Sequence, residues 1–298
     1  MQLELKKLTK SFGDVQVLKD ITFTTRSGRA MGFLGRNGSG KTTTMRCLMN
    51  VFAPDSGEVL LDGKPFVAKS ASIGYLPEER GMYAKEPILE QLVYFSQLRG
   101  TDKKTAHERA LYWLERVELS EYKSKRLEVL SKGNQQKIQI IQAFLTDPDI
   151  LILDEPFSGL DPVNSQLFKD IILDLLQEGK LVVFSSHQMA YVEEFCDDIA
   201  LIHEGEIVLT GDLKQIKKER SWRQVLVETS TPEAFSVIDS LSAEPPEKRG
   251  QNYRMTLREE MSKEELLSAL LSQGIKIESF NDYLPSLQQI FLESVGER

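Results

Sequence analysis

Gly35, Gly40, Lys41 and Thr42 stand at the spacing of a loop that grips polyphosphate, in the run Gly35-Arg36-Asn37-Gly38-Ser39-Gly40-Lys41-Thr42-Thr43. The glycines let the backbone curl so that successive N–H groups point inward at an anion. Lys41 then reaches the outer phosphates, and the Thr42 hydroxyl is set to hold Mg²⁺. A helix opening near Lys41 adds its positive end to the same anion. Gly-rich turns between strand and helix also occur for packing alone, but here an apolar strand over 30–34 precedes the run and a helix over 42–51 follows it.

Four more groups carry chemistry. The apolar run 150–153 ends in Asp154-Glu155-Pro156, which puts two carboxylates where strands of open α/β sheets deliver ligands. Asp154 is expected to hold Mg²⁺ through water and Glu155 to orient and deprotonate an attacking water. By itself an acidic pair after a strand also reads as a helix cap or a surface loop. Ser131, in Leu130-Ser131-Lys132-Gly133-Asn134, precedes a helical run over 137–145, so it stands near a helix start whose N–H donors face an anion; capping alone explains a serine there as well. Ser158-Gly159-Leu160-Asp161-Pro162 is a tight turn into a helix with proline first, a pattern that plain punctuation also explains. His187 follows the strand 181–185, within reach of a terminal phosphate, although a lone histidine is more often a surface or packing residue.

The elements that must position these groups alternate along the chain. Strands are expected over 2–8 and 15–25, with a turn at 54–57, a strand over 58–61 and a hairpin at Asp62-Gly63. Apolar residues recur at helical spacing over 88–98, 106–117 and 138–145, marking a helical insertion at about 82–146. Strand and helix then alternate through 150–153, 162–176, 181–185, 189–195, 199–203 and 206–209, the signature of an α/β core with a mainly parallel sheet. A charged stretch over 217–220 closes this unit. A smaller α+β unit over 221–298 follows, with strands at 224–229, 253–257 and 275–279 and helices at 232–241, 263–271 and 285–295; its loop 243–251 is expected to be its most mobile part.

The chain has 298 residues, 41% of them hydrophobic, enough for about two domains. With 45 acidic against 37 basic side chains the net charge is -8, which argues against a nucleic-acid binder. Cys47 and Cys196 form no CxxC pair, so two buried reduced thiols are expected. No apolar run approaches the ~18 residues that span a bilayer, and the alternating start is unlike a signal peptide.

Together and in this order the motifs resemble the ATP-binding cassette (ABC) family of transporter ATPases over residues 1–220. The resemblance makes the glycine loop the Walker A motif and Asp154-Glu155 Walker B. It makes Leu130 to Asn134 the signature, Asp161 part of the D-loop, and His187 the switch histidine. It implies Phe12 as the aromatic that stacks on adenine, although a loop phenylalanine also serves to cover a sheet edge. Two positions depart from the family pattern. Glu78 stands where a Mg²⁺-touching glutamine is usual, and Lys132 and Asn134 replace a glycine and a glutamine of the signature, while Ser131 and Gly133 are kept.

The resemblance further implies a Mg²⁺-dependent ATPase working as a homodimer, or a dimer with a paralogue, in which one subunit supplies Gly35 to Thr43, Asp154, Glu155 and His187 and the other Ser131 and Gly133. It implies a separate multi-span permease, docked around 78–99, and a peripheral place on the cytoplasmic face of the membrane. Residues 221–298 are similar to the accessory domain of bacterial drug- and sodium-exporter ATPases, which tilts the reading toward export. The alternative is a soluble cassette ATPase acting on a ribosome or DNA partner. Such proteins carry paired cassettes or a coiled-coil insertion, and neither is visible.

Overall fold

Alternation in the first 26 residues produces two long strands, because every second side chain must be buried. β1 (Gln2–Phe12) and β2 (Val15–Arg26) pair antiparallel, and Leu3, Leu5, Leu8, Leu18, Ile21 and Phe23 all point into the core. The computed structural model describes residues 1–69, 71–78 and 81–296. The chain divides after Leu213 into two units, where the sequence reading set the boundary at residue 220.

In the first unit β3 (Ala30–Leu34) leads into α1 (Lys41–Leu48), after which β4 (Ser56–Leu61) and β5 (Lys64–Pro65) join β1 in an antiparallel sheet ordered β2-β1-β4-β5. Asp62 and Gly63, both at positive φ, make the β4–β5 turn that their pairing anticipates. β6 (Ile73–Leu76) precedes the helical insertion, which comprises α2 (Ile88–Leu98), α3 (Lys103–Arg116) and α4 (Lys132–Phe144). Residues 79 and 80, inside the segment expected to dock a permease, lie outside the described residues. β7 (Ile150–Asp154), α5 (Pro162–Gln177), β8 (Leu181–Ser186), α6 (Met189–Phe195), β9 (Asp198–His203) and β10 (Glu206–Asp212) complete the unit.

The main sheet runs β10-β9-β3-β8-β7-β6, parallel from β9 to β6, with β10 returning antiparallel. Every residue of β3, β7 and β8 is buried, as expected of strands covered on both faces. Those three neighbours all end at the same edge, and from it emerge the glycine loop, the Asp154-Glu155 pair and His187. Arg29 anchors the opposite end of β3 with a fork to Asp198 at 2.6 and 2.7 Å and a further bond to Asp212 at 2.8 Å.

The second unit opens in α7 (Leu213–Arg220) and contains β11 (Gln224–Thr229), α8 (Ala234–Leu241), β12 (Glu247–Arg249), β13 (Asn252–Thr256), α9 (Lys263–Ser272), β14 (Ile277–Asp282) and α10 (Leu287–Ser294). Its antiparallel sheet is ordered β12-β13-β11-β14, over a core that includes Val225, Val227, Ile238, Tyr253 and Leu266. The loop expected over 243–251 carries β12, whose Glu247, Lys248 and Arg249 pair with β13, so part of it is held in the ladder. Ser262 and Ser286 start α9 and α10 with capping boxes completed by Glu265 and Gln289. Among the described residues no helix is long and apolar enough to cross a membrane.

Candidate functional site

Gly40 sets the geometry of the loop. Its φ of +112° is open only to glycine, and a Cβ there would come within 2.8 Å of Leu18 Cδ2. From this residue the chain turns directly into α1 at Lys41, so the unpaired N–H groups of the first turn face the loop. A cavity of about 420 Å³ lies here, lined by Asn37, Gly38, Gly40, Lys41, Thr42, Thr43, Glu78 and Glu155, with Val17 from β2. Lys41 is buried and its Nζ donates to the carbonyls of Gly35 at 2.8 Å and Arg36 at 3.2 Å, which holds the loop curled around the ammonium.

Glu155 leaves β7 at a φ of +49°, a left-handed conformation that disfavours a residue with a Cβ by about 1 kcal/mol. The kink turns its carboxylate toward Lys41 and His187. Oε1 stands 2.9 Å from His187 Nδ1 and 3.6 Å from Lys41 Nζ, yet no directed hydrogen bond satisfies it. Asp154, 1% exposed, has one oxygen held by the Ser185 hydroxyl while Oδ2 is buried without a partner. The Ser39 hydroxyl in the glycine loop is likewise buried and unpartnered. Buried acceptors without donors call for a cation or a polar ligand. Thr42 Oγ1 lies 3.4 Å from Glu78, so a hydroxyl and two carboxylates surround the same space. Among the described residues no group of three or more His, Cys, Asp or Glu side chains makes a ready metal cage. The hydroxyl and carboxylates around this space are of the kind Mg²⁺ takes, one or two carboxylates with the shell completed by water and phosphate oxygens.

Burial pushes the Asp154 carboxyl above the usual aspartate range; the Ser185 and Thr42 hydroxyls and Lys41 pull it down, and the charge of Glu78 pushes it up again. A raised native pKa stabilises the fold below the unfolded value, near ~3.9, and that contribution is lost as pH rises through the native value. The ionised form of Asp154 therefore destabilises the chain when no cation is present. Asp154→Asn is expected to raise the melting temperature at pH 7 without nucleotide, with the gain shrinking toward pH 4, while Mg²⁺ no longer strengthens ATP binding. A lower melting temperature at pH 7 would contradict this account of the buried charge.

Ser131 and Gly133 do not line the cavity. Ser131 caps α4, accepting from the Asn134 N–H at 3.3 Å, and the helix begins at Lys132, five residues before the expected run. Asp161 caps α5 through the Asn164 N–H at 2.9 Å, and Asn164 Nδ2 donates to it at 2.6 Å, so its carboxyl sits below the usual range. A Cβ on Gly133 would lie 4.0 Å from Asp161 Oδ2, which places the start of α4 beside the turn into α5. Phe12 is also outside the lining. It stands half exposed at the β1–β2 hairpin, edge-on to Phe52 at 5.3 Å, with its ring also approached by Lys10 Nζ at 5.6 Å. Both thiols are buried, and burial pushes Cys47 up to about 11.

Three residues of this region were not read from the sequence. Val17 was hidden inside a β-branched strand. Ser185 accepts from the Glu155 N–H at 3.0 Å. Gln136, 2% exposed on α4, donates to the carbonyls of Pro156 at 3.2 Å and Ser158, clamping the turn after Glu155. Only the position of Gln136 beside the signature hinted at a role.

Comparison with known proteins is consistent with this geometry. Residues 18–158 match the family model for ABC transporters, and residues 211–295 match the C-terminal domain of DrrA1-3-like ATP-binding proteins. The chain is 38% identical over 295 residues to YhaQ of Bacillus subtilis, described as an uncharacterized ABC transporter ATP-binding protein, covering 99% of this chain and 98% of that one. It is 30% identical to the Nod factor export ATP-binding protein I of Burkholderia lata, covering 81% and 80%. A solved ATP-binding subunit of an ABC transporter superposes with a TM-score of 0.68 at 28% identity, over 75% of this chain and 95% of that one.

Proposed function

The chain belongs to the ATP-binding proteins of ABC transporters, and on that premise we propose that it pairs with a second cassette over ATP to power a separate membrane permease, in the direction of export. The observation that carries the reading is that Lys41 and Glu155 line one cavity behind a glycine loop, 3.6 Å apart, with His187 Nδ1 2.9 Å from the Glu155 carboxylate.

Asn37 to Thr43 present backbone donors and Lys41 a fixed positive charge to the phosphates. Mg²⁺, when bound, would neutralise charge on the terminal phosphate oxygens, held by Thr42, Asp154 and Glu78. Glu155 takes a proton from the attacking water as the water oxygen bonds to the γ-phosphorus. The bond to the bridging oxygen then breaks, and ADP leaves with that electron pair. His187, at the Glu155 carboxylate, is in position to steady the water and the terminal phosphate. Ser131 and Gly133, away from their own cavity on the tip of α4, would close the site of the partner copy, with Asp161 beside them at the join. Phe12, half exposed, would stack on adenine. Loss of the γ-phosphate removes the bridge between the copies and lets them part.

Export is supported by the DrrA-like second unit and by the name of the Nod factor relative. The expected place is the cytoplasmic face of the membrane, reached through the permease. Affinity-tagged chain recovered from native membranes is expected to bring down a multi-span protein in stoichiometric amount. Recovery of ribosomes or DNA in its place, with no such protein, would favour the alternative of a cassette ATPase serving nucleic-acid machinery.

A further inference from the structure

Ser185 sits at the end of β8, opposite Asp154 in the parallel register, and is fully buried. A hydroxyl has one proton to donate and lone pairs to accept with, and here both capacities are used across the strand pair. Its proton goes to Asp154 Oδ1, and its lone pair receives the Glu155 N–H at 3.0 Å. The amide it holds belongs to the residue with the left-handed φ of +49°. Backbone in that region persists only where its surroundings fix it, and a buried N–H left without an acceptor is strongly disfavoured.

The same strand end delivers His187 two residues later, 2.9 Å from the Glu155 carboxylate. Ser185 thus holds the peptide of Glu155 while His187 meets its side chain, and both are aligned by β8. We propose that Ser185 is a positioning residue for the water-activating Glu155, pinning its left-handed peptide so that the carboxylate faces the cavity. The inference rests on the reading of Glu155 as the base. Without the hydroxyl the peptide relaxes toward ordinary backbone, and the carboxylate swings off the line of attack. Nucleotide contacts made by the glycine loop and Lys41 are untouched, because none of them involves Ser185.

The test is a double-mutant cycle with Ser185→Ala and Glu155→Gln, measured as steady-state phosphate release with saturating Mg²⁺. Ser185→Ala is expected to lower kcat by ~10-fold or more, with KM for ATP and ATP affinity by calorimetry within about twofold of the parent. Placed on Glu155→Gln, the same change is expected to lower the residual rate no further, since the group it acts through is gone. Ser185→Thr, which keeps the hydroxyl, is expected to recover most of the rate if its melting temperature matches the parent.

A kcat unchanged in Ser185→Ala, with Glu155→Gln inactive, overturns the proposal and leaves Glu155 as the base. So does a loss of rate that appears only at limiting Mg²⁺ and vanishes at saturation, which would mean that Ser185 serves Asp154 and the metal instead. A further loss in the double variant equal to that in the parent would also overturn it, since Ser185 would then act independently of Glu155. If Glu155→Gln itself turns over normally, the underlying assignment of the base fails first.

Discussion

Glu155→Gln is expected to reduce ATP turnover by ~10²-fold or more while leaving ATP bound. The substitution is nearly isosteric, so the kink after β7 and the hydrogen bond from the residue 155 N–H to Ser185 persist. An amide, however, cannot accept a proton from water at neutral pH, and a positioned general base is worth ~10² to ~10⁴ in rate. ATP that binds but is not cleaved keeps its γ-phosphate between two copies, so a stable pair is expected to accumulate. Light scattering with Mg²⁺ and ATP reads the pair, and phosphate release reads the rate. Unchanged turnover would remove Glu155 from the chemistry. A chain that stays single in this variant, with every natural partner supplied, would sink the two-copy mechanism.

Lys41→Ala acts earlier, on binding itself. The ammonium is 6% exposed and braced by two loop carbonyls, so its direction is fixed before any phosphate arrives. Charge-assisted hydrogen bonds of this kind contribute about 1.5 to 3 kcal/mol, and ATP affinity is expected to fall by ~10- to ~100-fold. The same variant removes the lysine 3.6 Å from the buried Glu155 carboxylate, so a lower melting temperature is expected too. Calorimetric titration with ATP separates the two effects, because only the folded fraction binds. Unaltered affinity would mean that the glycine loop is not where the phosphates sit.

Much of this site can be read from residue order because its parts are local. The apolar run before Gly35 becomes a fully buried strand, and the helix begins one residue before the expected start, at Lys41. The Asp154-Glu155 pair and His187 lie at adjacent strand ends because buried parallel strands announce themselves as unbroken apolar runs. What was missed depends on partners distant in sequence. β6 is only four residues long and contains Gly74, which reads as a turn signal. A Cβ at Gly74 would fall 2.2 Å from the Ala143 carbonyl, so the glycine is there to admit α4 against the strand. The first turn of α4 is Lys132, Gly133, Asn134 and Gln135, without an apolar residue to show a helical period. Ser185 looks like one more polar residue before a histidine until the register sets it opposite Asp154. The lining from the first strand pair is similar, since Val17 enters it only through the pairing of β2 with β1.

Gln136 ties α4 to the turn after Glu155 with two bonds from a single amide, both made out of solvent. In the proposed pair the tip of that helix would address a neighbour's nucleotide, and the turn the chain's own. The tie between the two is a side-chain amide and does not run through the sheet. In the pair proposed above, each Gln136 would therefore link the turn at its own nucleotide to the helix tip at the other copy's.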